Sequence, residues 1–301
     1  MAKQKSVAIG RSKEDSVFIA IDVIISILIF IIVAYPLWYI LVMSFDGDIY
    51  NTALRILPSK YSINGYVAVF NYGSVWTGYR NSLIYMIAGT AINMAVTICA
   101  AYPLSRPDVR GKRFFNLLFV FTMYFSGGLI PSYLLVSDLG MIDTIWAMLI
   151  PGAMSVYNMI VMRTYFATSI PGELREAASI DGCNNMVFLF RIVLPLSTPI
   201  LAVVGMFYAV GHWNAYFNAM LYLNKAERYP LQMVLREILV VNTVDSSAMG
   251  DYDPEAASAM MERMQIMRYS LVIVASVPML ALFPFVQKYF VKGMMIGSVK
   301  G

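Results

Sequence analysis

Long runs of apolar residues, separated by shorter polar segments, dominate this sequence. Six of them reach the length of about 20 residues with which a helix crosses roughly 30 Å of hydrocarbon. These runs are residues 17–42, 80–104, 114–136, 142–162, 192–216 and 269–290. Because a helix satisfies its own backbone hydrogen bonds where no water is present, the pattern predicts an all-α polytopic membrane protein with six transmembrane helices.

The composition agrees with a chain that lies mostly in a bilayer. Of the 301 residues, 59% are hydrophobic and 13% are charged, whereas soluble domains are about 45–50% apolar. The first apolar run is longer than the core of a signal peptide and lacks a clear cleavage site, so we expect a retained helix. We therefore expect a cytoplasmic segment, residues 1–16, followed by one transmembrane domain, residues 17–301.

Lysine and arginine residues set the expected orientation, since positive residues that flank membrane spans stay on the cytoplasmic side. With the N-terminus inside, 14 of the 22 lysines and arginines lie on the inner side and eight on the outer side. We therefore expect both termini in the cytoplasm. The inner excess also accounts for the net charge of +4, so this charge does not require a nucleic-acid partner.

Three segments between the runs are long, an inner loop at about residues 163–191 and two outer loops at about residues 44–79 and 217–267. The inner loop carries the signals of a helix start. Ser169 can cap a helix, Pro171 suits its first turn and Glu173 suits the positive end of its dipole. We expect a short helix that continues to about Ile180.

The face of this short helix is small and smooth. Leu174, Ala177 and Ala178 fall at positions i, i+3 and i+4, which would allow close approach by a partner. Gly182 supplies the conformational freedom to end the helix and turn. We therefore expect two short helices with a bend at the inner membrane surface, followed by Pro195 at the start of the fifth run.

The inner loop also resembles the signature loop of permease subunits of binding-protein-dependent ATP-binding-cassette (ABC) importers. The match keeps the full spacing and consists of Glu176-Ala177-Ala178, Gly182, Ile192 and Leu194-Pro195. Asp181 and Pro199 are similar to the carbohydrate branch, the group related to the maltose permease. Three further stretches resemble the corresponding stretches of permeases for complex or acidic oligosaccharides, namely residues 126–131, 211–218 and 287–293. The likeness covers nearly the whole chain.

This resemblance implies a type I ABC importer permease fold in which the inner loop forms a coupling helix that sits in a cleft of a cytoplasmic ATPase. The implied ATPase-coupling residues are Glu173, Arg175, Glu176, Ala177, Ala178, Asp181, Gly182, Leu194 and Pro195. The resemblance further implies a multi-pass protein of the bacterial inner membrane. Such a permease moves an oligosaccharide, here acidic or polysaccharide-derived, into the cell by alternating access.

The implied assembly contains a second, homologous permease subunit, two cytoplasmic ABC ATPases and an extracytoplasmic sugar-binding protein, all held in or at membrane lipid. ATP and magnesium are then bound by the partner ATPases, and no cofactor is expected in this chain. The sequence agrees on one point, because the phosphate-binding motif G-x-x-x-x-G-K-[ST] does not occur in it. We therefore expect a transport subunit without an ATPase site of its own.

Polar and aromatic residues near the outer end of the fifth run are candidates for a substrate pathway. With two residues from other runs, the candidates are Asn93, Tyr124, His212, Trp213, Asn214, Tyr216 and Asn218. Aromatic faces and amides suit a sugar, but an aromatic belt at a membrane interface uses the same residues. For His212 a packing role and direct sugar contact both stay open. A histidine metal site is not available, because the chain has one histidine.

The alternative to an importer subunit is a stand-alone secondary carrier or an intramembrane enzyme. Carriers driven by protons or sodium usually place ionisable groups or broken helices inside their spans, and no run has a carboxylate or lysine near its middle. We find no nucleophile with a base and no metal cluster in position for catalysis. Cys99 and Cys183 are expected to be small apolar fillers rather than a disulfide.

Overall fold

The computed structural model describes residues 13–48, 56–241 and 254–298, and these residues fold into helices. The helices are α1 Lys13–Ser44, α2 Asn64–Phe70, α3 Gly73–Ser105, α4 Lys112–Tyr124, α5 Leu129–Asp138, α6 Trp146–Leu149, α7 Val156–Ser169, α8 Gly172–Ile180, α9 Asn185–Phe188, α10 Leu194–Leu196, α11 Thr198–Trp213, α12 Tyr216–Tyr222, α13 Leu231–Arg236 and α14 Pro254–Ser298. Single turns of π- or 3₁₀-helix occupy Leu189–Val193, Ala226–Arg228 and Glu237–Val241. The expected all-α class is confirmed for this part of the chain.

Three helical segments have the length and apolar composition to cross a membrane, namely Glu14–Ser44, Gly73–Ser105 and Glu262–Pro284. Two bent pairs become further candidates if each pair is taken as one crossing. They are Lys112–Tyr124 with Leu129–Asp138 and Asn185–Leu196 with Thr198–Trp213. The described residues therefore contain three to five candidate crossings. The six expected crossings and their orientation stay a prediction.

The expectation of one continuous helix over residues 114–136 is wrong. α4 ends at Tyr124, α5 begins at Leu129, and their axes meet at 109°. Gly128 lies between them with φ 88° and ψ −177°, a conformation that essentially only glycine adopts. Pro131 then lies in the first turn of α5, where its missing N–H leaves no hydrogen bond unmade.

The expectation of one continuous helix over residues 142–162 is also wrong. α6 covers only Trp146–Leu149, and α7 begins at Val156. Gly152 between them has φ 74°, the left-handed region in which glycine carries no steric cost. Ser155 then caps α7 by accepting a hydrogen bond from the backbone N–H of Asn158. The chain therefore turns where a straight span was expected.

The run expected as one helix over residues 192–216 is bent as well. The segments Asn185–Leu196 and Thr198–Trp213 meet at 84°. The bend lies at Ser197, two residues before Pro199, which occupies the first turn of α11. A proline in that position cannot donate a backbone hydrogen bond to the preceding turn, so the helix restarts there.

α3 is the central helix and packs against α7, α11 and α13. One stripe of this helix, with residues three or four apart, is buried and consists of Val75, Gly78, Ser82, Tyr85, Gly89, Asn93, Thr97 and Ala101. Small and hydroxyl-bearing residues on such a stripe let neighbouring helices approach and bond. The hydroxyl groups of Thr97 and Tyr208, for example, lie 2.7 Å apart.

Two buried apolar clusters lie at opposite ends of α3. The cluster at its C-terminal end surrounds Tyr102 and includes residues of α7, α9 and α11. The cluster at its N-terminal end surrounds Trp213 and includes residues of α2, α13 and α14. α1 packs against α14, and the apolar side chains along α1 are mostly exposed.

The expected outer loop, residues 217–267, contains more helix than the sequence pattern suggests. α12 overlaps its beginning, and α14 starts at Pro254, well inside it. α13 and the single π-helical turn Glu237–Val241 that follows it also lie within this loop. The acidic, serine-rich part at 245–253 and the N-terminal residues 1–12 lie outside the described residues.

Candidate functional site

The short helix expected in the inner loop is present as α8, Gly172–Ile180. Its N-terminal residue differs from the expectation. Ser169 is the last residue of α7, and Pro171 occupies the position before α8, with no side chain bonded to the helix end. Glu173 lies in the first turn, where its negative charge faces the positive end of the helix dipole.

The C-terminus of α8 has the turn that the sequence predicts. Gly182 has φ 71°, and the backbone N–H groups of Asp181 and Gly182 donate to the carbonyls of Ala177 and Ser179 at 3.0 and 3.1 Å. A glycine in this left-handed conformation is a common way to end a helix. Asn184 then caps α9, because its side-chain oxygen accepts from the backbone N–H of Val187 at 2.9 Å.

The two sides of α8 differ in exposure. Ala178 is 8% exposed and packs into the apolar cluster around Tyr102, so α8 is held against the body of the protein there. Glu176 and Ala177 point outward, and Leu174 is 40% exposed. The smooth face expected from Leu174, Ala177 and Ala178 is therefore divided, with one alanine inside and the remaining residues available to a partner.

A carboxylate in the loop after α3 connects α8 to the central helix. Asp108 Oδ1 accepts hydrogen bonds from Arg106 Nε and from Arg175 Nη1, both at 3.0 Å. Arg175 belongs to α8 and Arg106 directly follows α3. The hydrogen bond from Arg106 is the largest of the influences that lower the pKa of Asp108 to about 2. The carboxylate is therefore ionised throughout the physiological range of pH.

The end of α3 also contacts the second short helix. Arg106 donates to the side-chain oxygen of Asn185, and the Tyr102 hydroxyl donates to the Asn185 carbonyl at 3.3 Å. The Arg106 guanidinium lies over the Tyr102 ring, 5.9 Å from its centre. We call Tyr102, Arg106, Asp108, Arg175 and Asn185 the α3 clamp. These contacts tie both arms of the bent loop to one end of the central helix.

Leu194 and Pro195 follow the π-turn after α9. Leu194 is partly buried against the cluster around Tyr102, and Pro195 is exposed in α10. Both residues precede the bend at Ser197. They therefore belong to the connection between the bent loop and α11.

Asn93 and His212 are the two pathway candidates that the structure brings together. His212 Nε2 lies 3.4 Å from Asn93 Oδ1, and Asn93 Nδ2 donates to the Gly152 carbonyl at 3.5 Å. α3 can approach α11 here because Gly89 has no side chain. An added Cβ atom at Gly89 would lie 2.3 Å from His212 Nε2.

Trp213 is 1% exposed, and its indole N–H donates to the Ala275 carbonyl of α14 at 3.1 Å. Its ring also packs edge-on against Tyr79, with 5.5 Å between ring centres. In this conformation the side chain joins three helices and has no surface for a solute. Its burial fits a tryptophan whose polar N–H has found a partner inside the protein.

The other pathway candidates lie apart. Tyr124, at the end of α4, is 74% exposed, and Tyr216, at the start of α12, is 45% exposed. Asn214 is exposed and accepts a hydrogen bond from Gln232 Nε2 at 3.3 Å, whereas Asn218 is half-buried on α12. Three of the seven candidates thus present substantial side-chain surface on the part of the chain that the structure describes.

No cluster of three or more histidine, cysteine, aspartate or glutamate residues suitable for a metal ion occurs among the described residues. Cys99 and Cys183 are not joined in a disulfide.

The comparisons with known proteins decide the family. The chain is 37% identical over 276 residues to the polygalacturonan/rhamnogalacturonan transport system permease protein YtcP of Bacillus subtilis, covering 90% of this chain and 94% of that protein. It is 38% identical over 268 residues to the protein LplC of the same organism, covering 88% of this chain and 89% of that protein.

The chain belongs to the permease subunits of sugar ABC transporters. A solved structure of a bacterial ABC transporter involved in the import of the acidic polysaccharide alginate contains a similar chain, with a TM-score of 0.83 and 31% identity. The match covers 93% of this permease and 99% of that chain. No family model matches the permease.

Sequence reasoning missed four of the five members of the α3 clamp, namely Tyr102, Arg106, Asp108 and Asn185. Their partners lie far away in sequence, since Arg175 is 67 residues from Asp108 and Asn185 is 83 residues from Tyr102. One local signal was present. Arg106-Pro107-Asp108 directly follows an apolar run, and the orientation expected from the lysines and arginines puts this segment on the same side as the inner loop.

Proposed function

We propose that this permease is one of two different but homologous permease subunits of an ATP-driven importer that moves an oligosaccharide into a bacterial cell. Two observations support the proposal. Glu176 and Ala177 lie on the exposed side of α8, and the α3 clamp fixes that helix to the central helix of the bundle. Membership of the sugar ABC permeases gives this exposed surface a natural partner, a cytoplasmic ATPase.

We propose six membrane crossings with both termini in the cytoplasm. The crossings are α1, α3, the pair α4 and α5, the pair α6 and α7, the segment from α9 to α11, and α14. The distribution of lysine and arginine supports this orientation. The membrane is the bacterial inner membrane, and α8 and residues 106–111 then lie on its cytoplasmic side.

The mechanism we propose transmits motion from the ATPases into the bundle. The two partner ATPases bind ATP and magnesium, and one of them holds the exposed side of α8 in a surface cleft. When the ATPase dimer closes, α8 moves with it. Since Asp108 bonds to Arg175 on α8 and to Arg106 at the end of α3, the displacement reaches α3 and the helices packed on it. The permease thereby alternates between inward-facing and outward-facing states.

The remaining members of the proposed coupling surface are Glu173, Arg175, Ala178, Asp181, Gly182, Leu194 and Pro195. Their positions suggest different roles within it. Ala178 is buried and anchors α8, whereas Gly182 sets the bend through its positive φ. Leu194 and Pro195 lie where the bent loop meets α11, so they connect the loop to the following span.

We propose an acidic, polysaccharide-derived oligosaccharide as the cargo. The relatives that are 31% to 37% identical include a polygalacturonan/rhamnogalacturonan permease and a chain of an alginate importer. An arabinooligosaccharide permease of Halalkalibacterium halodurans is similar at 26% identity. A sugar-binding protein outside the membrane would deliver the cargo to the side of the outer loop, residues 217–267.

The proposed substrate pathway uses Asn93 and His212, which contact each other, together with the exposed Tyr124, Asn214 and Tyr216. Amides and an imidazole can donate to and accept from sugar hydroxyls, and tyrosine rings offer flat faces to C–H surfaces. Asn218 is half-buried on α12. Trp213 would not contact the cargo, since its side chain is buried, and would instead hold the helices of the pathway together.

The test of the coupling surface is a charge reversal on α8. Glu176→Lys places a positive charge on the side of α8 that faces the ATPase. Because juxtaposed like charges cost an interface several kcal/mol of binding free energy, uptake should fall roughly tenfold or more. Gly182→Pro should have a similar effect, because proline cannot adopt φ 71°. Glu14→Lys, an exposed reversal at the start of α1, is the matched control.

Three measurements decide this test. Membrane insertion is measured by the amount of full-length chain in membranes and should not change. Uptake of labelled oligosaccharide and ATPase stimulation by the binding protein should both be lost in the two α8 variants and kept in the control. Normal uptake by both α8 variants, or labelling of a cysteine at position 179 from outside intact cells, would overturn the proposal.

A further inference from the structure

A groove of about 400 Å³ lies between α4 and α7, separate from the α3 clamp and from the proposed substrate pathway. Such a volume lies within the range of sites that hold small ligands, about 300–1,000 Å³. We call it the α4–α7 groove. It is lined by Arg113, Asn116, Leu117, Val120, Ile160 and Arg163.

Among the described residues, no group forms a hydrogen bond or an ion pair with the side chain of Arg113 or Arg163. Arg163 Nε is buried without an acceptor. By contrast, Arg106, Arg175 and Arg228 each face a carboxylate. A buried donor of a charged group costs free energy when it stays unbonded, so an acceptor from outside the chain would stabilise Arg163.

The polarity of the groove changes along its length. Arg113 lies in the first turn of α4, and Leu117 and Val120 follow one and two turns further along that helix. α7 runs in the opposite sense, towards α8, and Ile160 lies about one turn before Arg163. The two charges therefore lie at the α8 end of the groove, and the apolar side chains lie deeper in the bundle.

This distribution matches an amphiphile with an anionic head. The guanidinium groups can donate to phosphate oxygens in pairs, and the Asn116 amide adds a further donor. Leu117, Val120 and Ile160 provide an apolar trough for a hydrocarbon chain. An acidic sugar fits less well, because the deep part of the groove offers apolar surface and no partner for hydroxyl groups.

We propose that the α4–α7 groove binds one anionic phospholipid from the membrane leaflet on the α8 side, with its phosphodiester between Arg113 and Arg163 and an acyl chain along Leu117, Val120 and Ile160. The site does not depend on transport, since it requires neither the ATPases nor the sugar. The α4–α7 groove lies next to the end of α7, and α7 leads directly into α8. A lipid bound in the groove would therefore let the lipid composition of the membrane act on the inner loop.

The experiment measures lipid retention by native mass spectrometry on the full-length chain, in the assembly with which it purifies. The protein is stripped with detergent and then exposed to micelles that contain dioleoyl-phosphatidylglycerol or dioleoyl-phosphatidylcholine. The wild type should prefer the anionic lipid. Each arginine near an anionic surface contributes a factor of about five, so Arg113→Gln with Arg163→Gln should reduce the preference about 25-fold.

The control variant is Arg110→Gln with Arg191→Gln, which removes two exposed arginines outside the groove and should keep the preference. Arg113→Gln alone guards against a folding defect, because Arg113 is exposed and its replacement leaves the packing of α4 and α7 unchanged. This single variant should reduce the preference about fivefold. Thermal unfolding of each variant in detergent checks that the fold is kept.

Several outcomes would overturn the proposal. One is equal lipid preference in the wild type and the double variant. Another is equal binding of glycerol 3-phosphate, which would assign the arginines to a free phosphate ester rather than to a lipid. Displacement of the lipid by a uronate oligosaccharide would make the groove part of the cargo route. A groove without lipid in the assembled importer, with α4 and α7 covered by the second permease, would assign it to that interface.

Discussion

Asp108 shows how a single side chain joins distant parts of this permease. Its carboxylate accepts from Arg106 and from Arg175, and the Arg106 side chain is only 16% exposed. An exposed ion pair on its own contributes little, about 0–1 kcal/mol. In the α3 clamp, however, the same carboxylate orients two arginines, and one of these also bonds to Asn185. We therefore expect its loss to affect coupling more than stability.

The first prediction concerns this carboxylate. Asp108→Ala should lower uptake several-fold, because a movement of α8 would no longer be transmitted to the C-terminal end of α3. The chain should still insert into the membrane and bind the ATPases. Arg175→Lys keeps a positive charge near Asp108 and should cause a smaller loss. Uptake by whole cells and ATPase activity in vesicles measure the two effects. Equal uptake by Asp108→Ala and the wild type would remove Asp108 from the coupling route.

A prediction about pH follows from the same group. The Arg106 hydrogen bond holds the pKa of Asp108 at about 2, below its value in an unfolded chain. Its contribution to stability is therefore complete above the unfolded pKa of about 4 and is lost only as the pH falls through about 2. Asp108→Asn should thus lower uptake by the same factor at about pH 5.5 and about pH 7.5. A defect that disappears at the lower pH would contradict this assignment.

Gly89 illustrates the close approach of α3 and α11. In Gly89→Ala the new Cβ atom would meet His212 Nε2 at 2.3 Å, and overpacking of this kind costs about 1–3 kcal/mol. We expect a lower melting temperature in detergent and partial recovery in the double variant Gly89→Ala with His212→Ala. Gly211→Ala, on the same helix as His212, meets nothing within 4 Å and is the control. An unchanged melting temperature for Gly89→Ala would show that the two helices can separate freely.

At the level of elements, the breaks in the expected spans matter as much as the spans. α4 and α5 meet at 109°, and the loop before α11 meets that helix at 84°. Both breaks coincide with residues whose backbone chemistry disfavours a continuous helix, Gly128 in one case and Pro199 in the other. The bend before α11 also turns the segment from α9 to α10 away from the axis of α11.

The break at Gly128 gives a prediction with a neighbouring control. Gly128→Ala forces a residue with a side chain into φ 88° and ψ −177°, which costs about 1–3 kcal/mol. The melting temperature and the uptake rate should both fall. Gly127→Ala should be nearly neutral, because its Cβ atom would make an ordinary 3.5 Å contact with Pro131. If both variants behave alike, the conformation of Gly128 is not needed for the break.

For the whole molecule, α3 is the element that connects the two ends. The α3 clamp holds its C-terminal end to α8 and α9. Near its N-terminal end, Asn81 donates to the carbonyls of Glu227 and Tyr229 at 2.8 and 3.1 Å, and Tyr85 donates to the carbonyl of Arg228 at 2.8 Å. A helix of 33 residues spans about 50 Å, so one rigid rod joins the proposed ATPase side to the proposed binding-protein side.

The carboxylate of Asp143 reinforces the second attachment. It accepts from the backbone N–H groups of Asn224 and Lys225, each at 3.3 Å, and faces Lys225 and Arg228 at 3.6 and 3.5 Å. Desolvation raises the pKa of Asp143, but these donors and charges lower it by more, and the net pKa lies below its ordinary value. The loop between α12 and α13 is thus held to the rest of the chain from two directions.

The final prediction tests this attachment. Asn81→Ala removes both side-chain hydrogen bonds to the loop, so backbone amides in residues 224–229 should exchange hydrogen several-fold faster while those of α8 keep their rate. Asn64→Ala, at the exposed start of α2, is the control and should change neither segment. Faster exchange at α8 as well would show that the variant loosens the whole fold, and no change at the loop would show that other contacts are sufficient.

Much of this permease follows from local pattern. The apolar runs predict helices and a membrane, and α8 ends where Gly182 allows a left-handed turn, because periodicity and φ preference act over a few residues. The signature around Glu176 depends in the same way on short spacings. Gly128 and Pro199 were visible in the sequence too, but apolar run length does not reveal that they break the expected spans.

Only the tertiary structure decided which distant groups meet. It brought Asp108 to Arg175 across 67 residues, turned Ala178 inward while Ala177 stayed exposed, and buried Trp213 among three helices although its type suits a sugar site. It also placed the side chains of Arg113 and Arg163 in one groove where no other described residue bonds to them. These outcomes depend on where each helix ends and how it is rotated against its neighbours. Packing across the whole bundle determines both, and no local spacing records them.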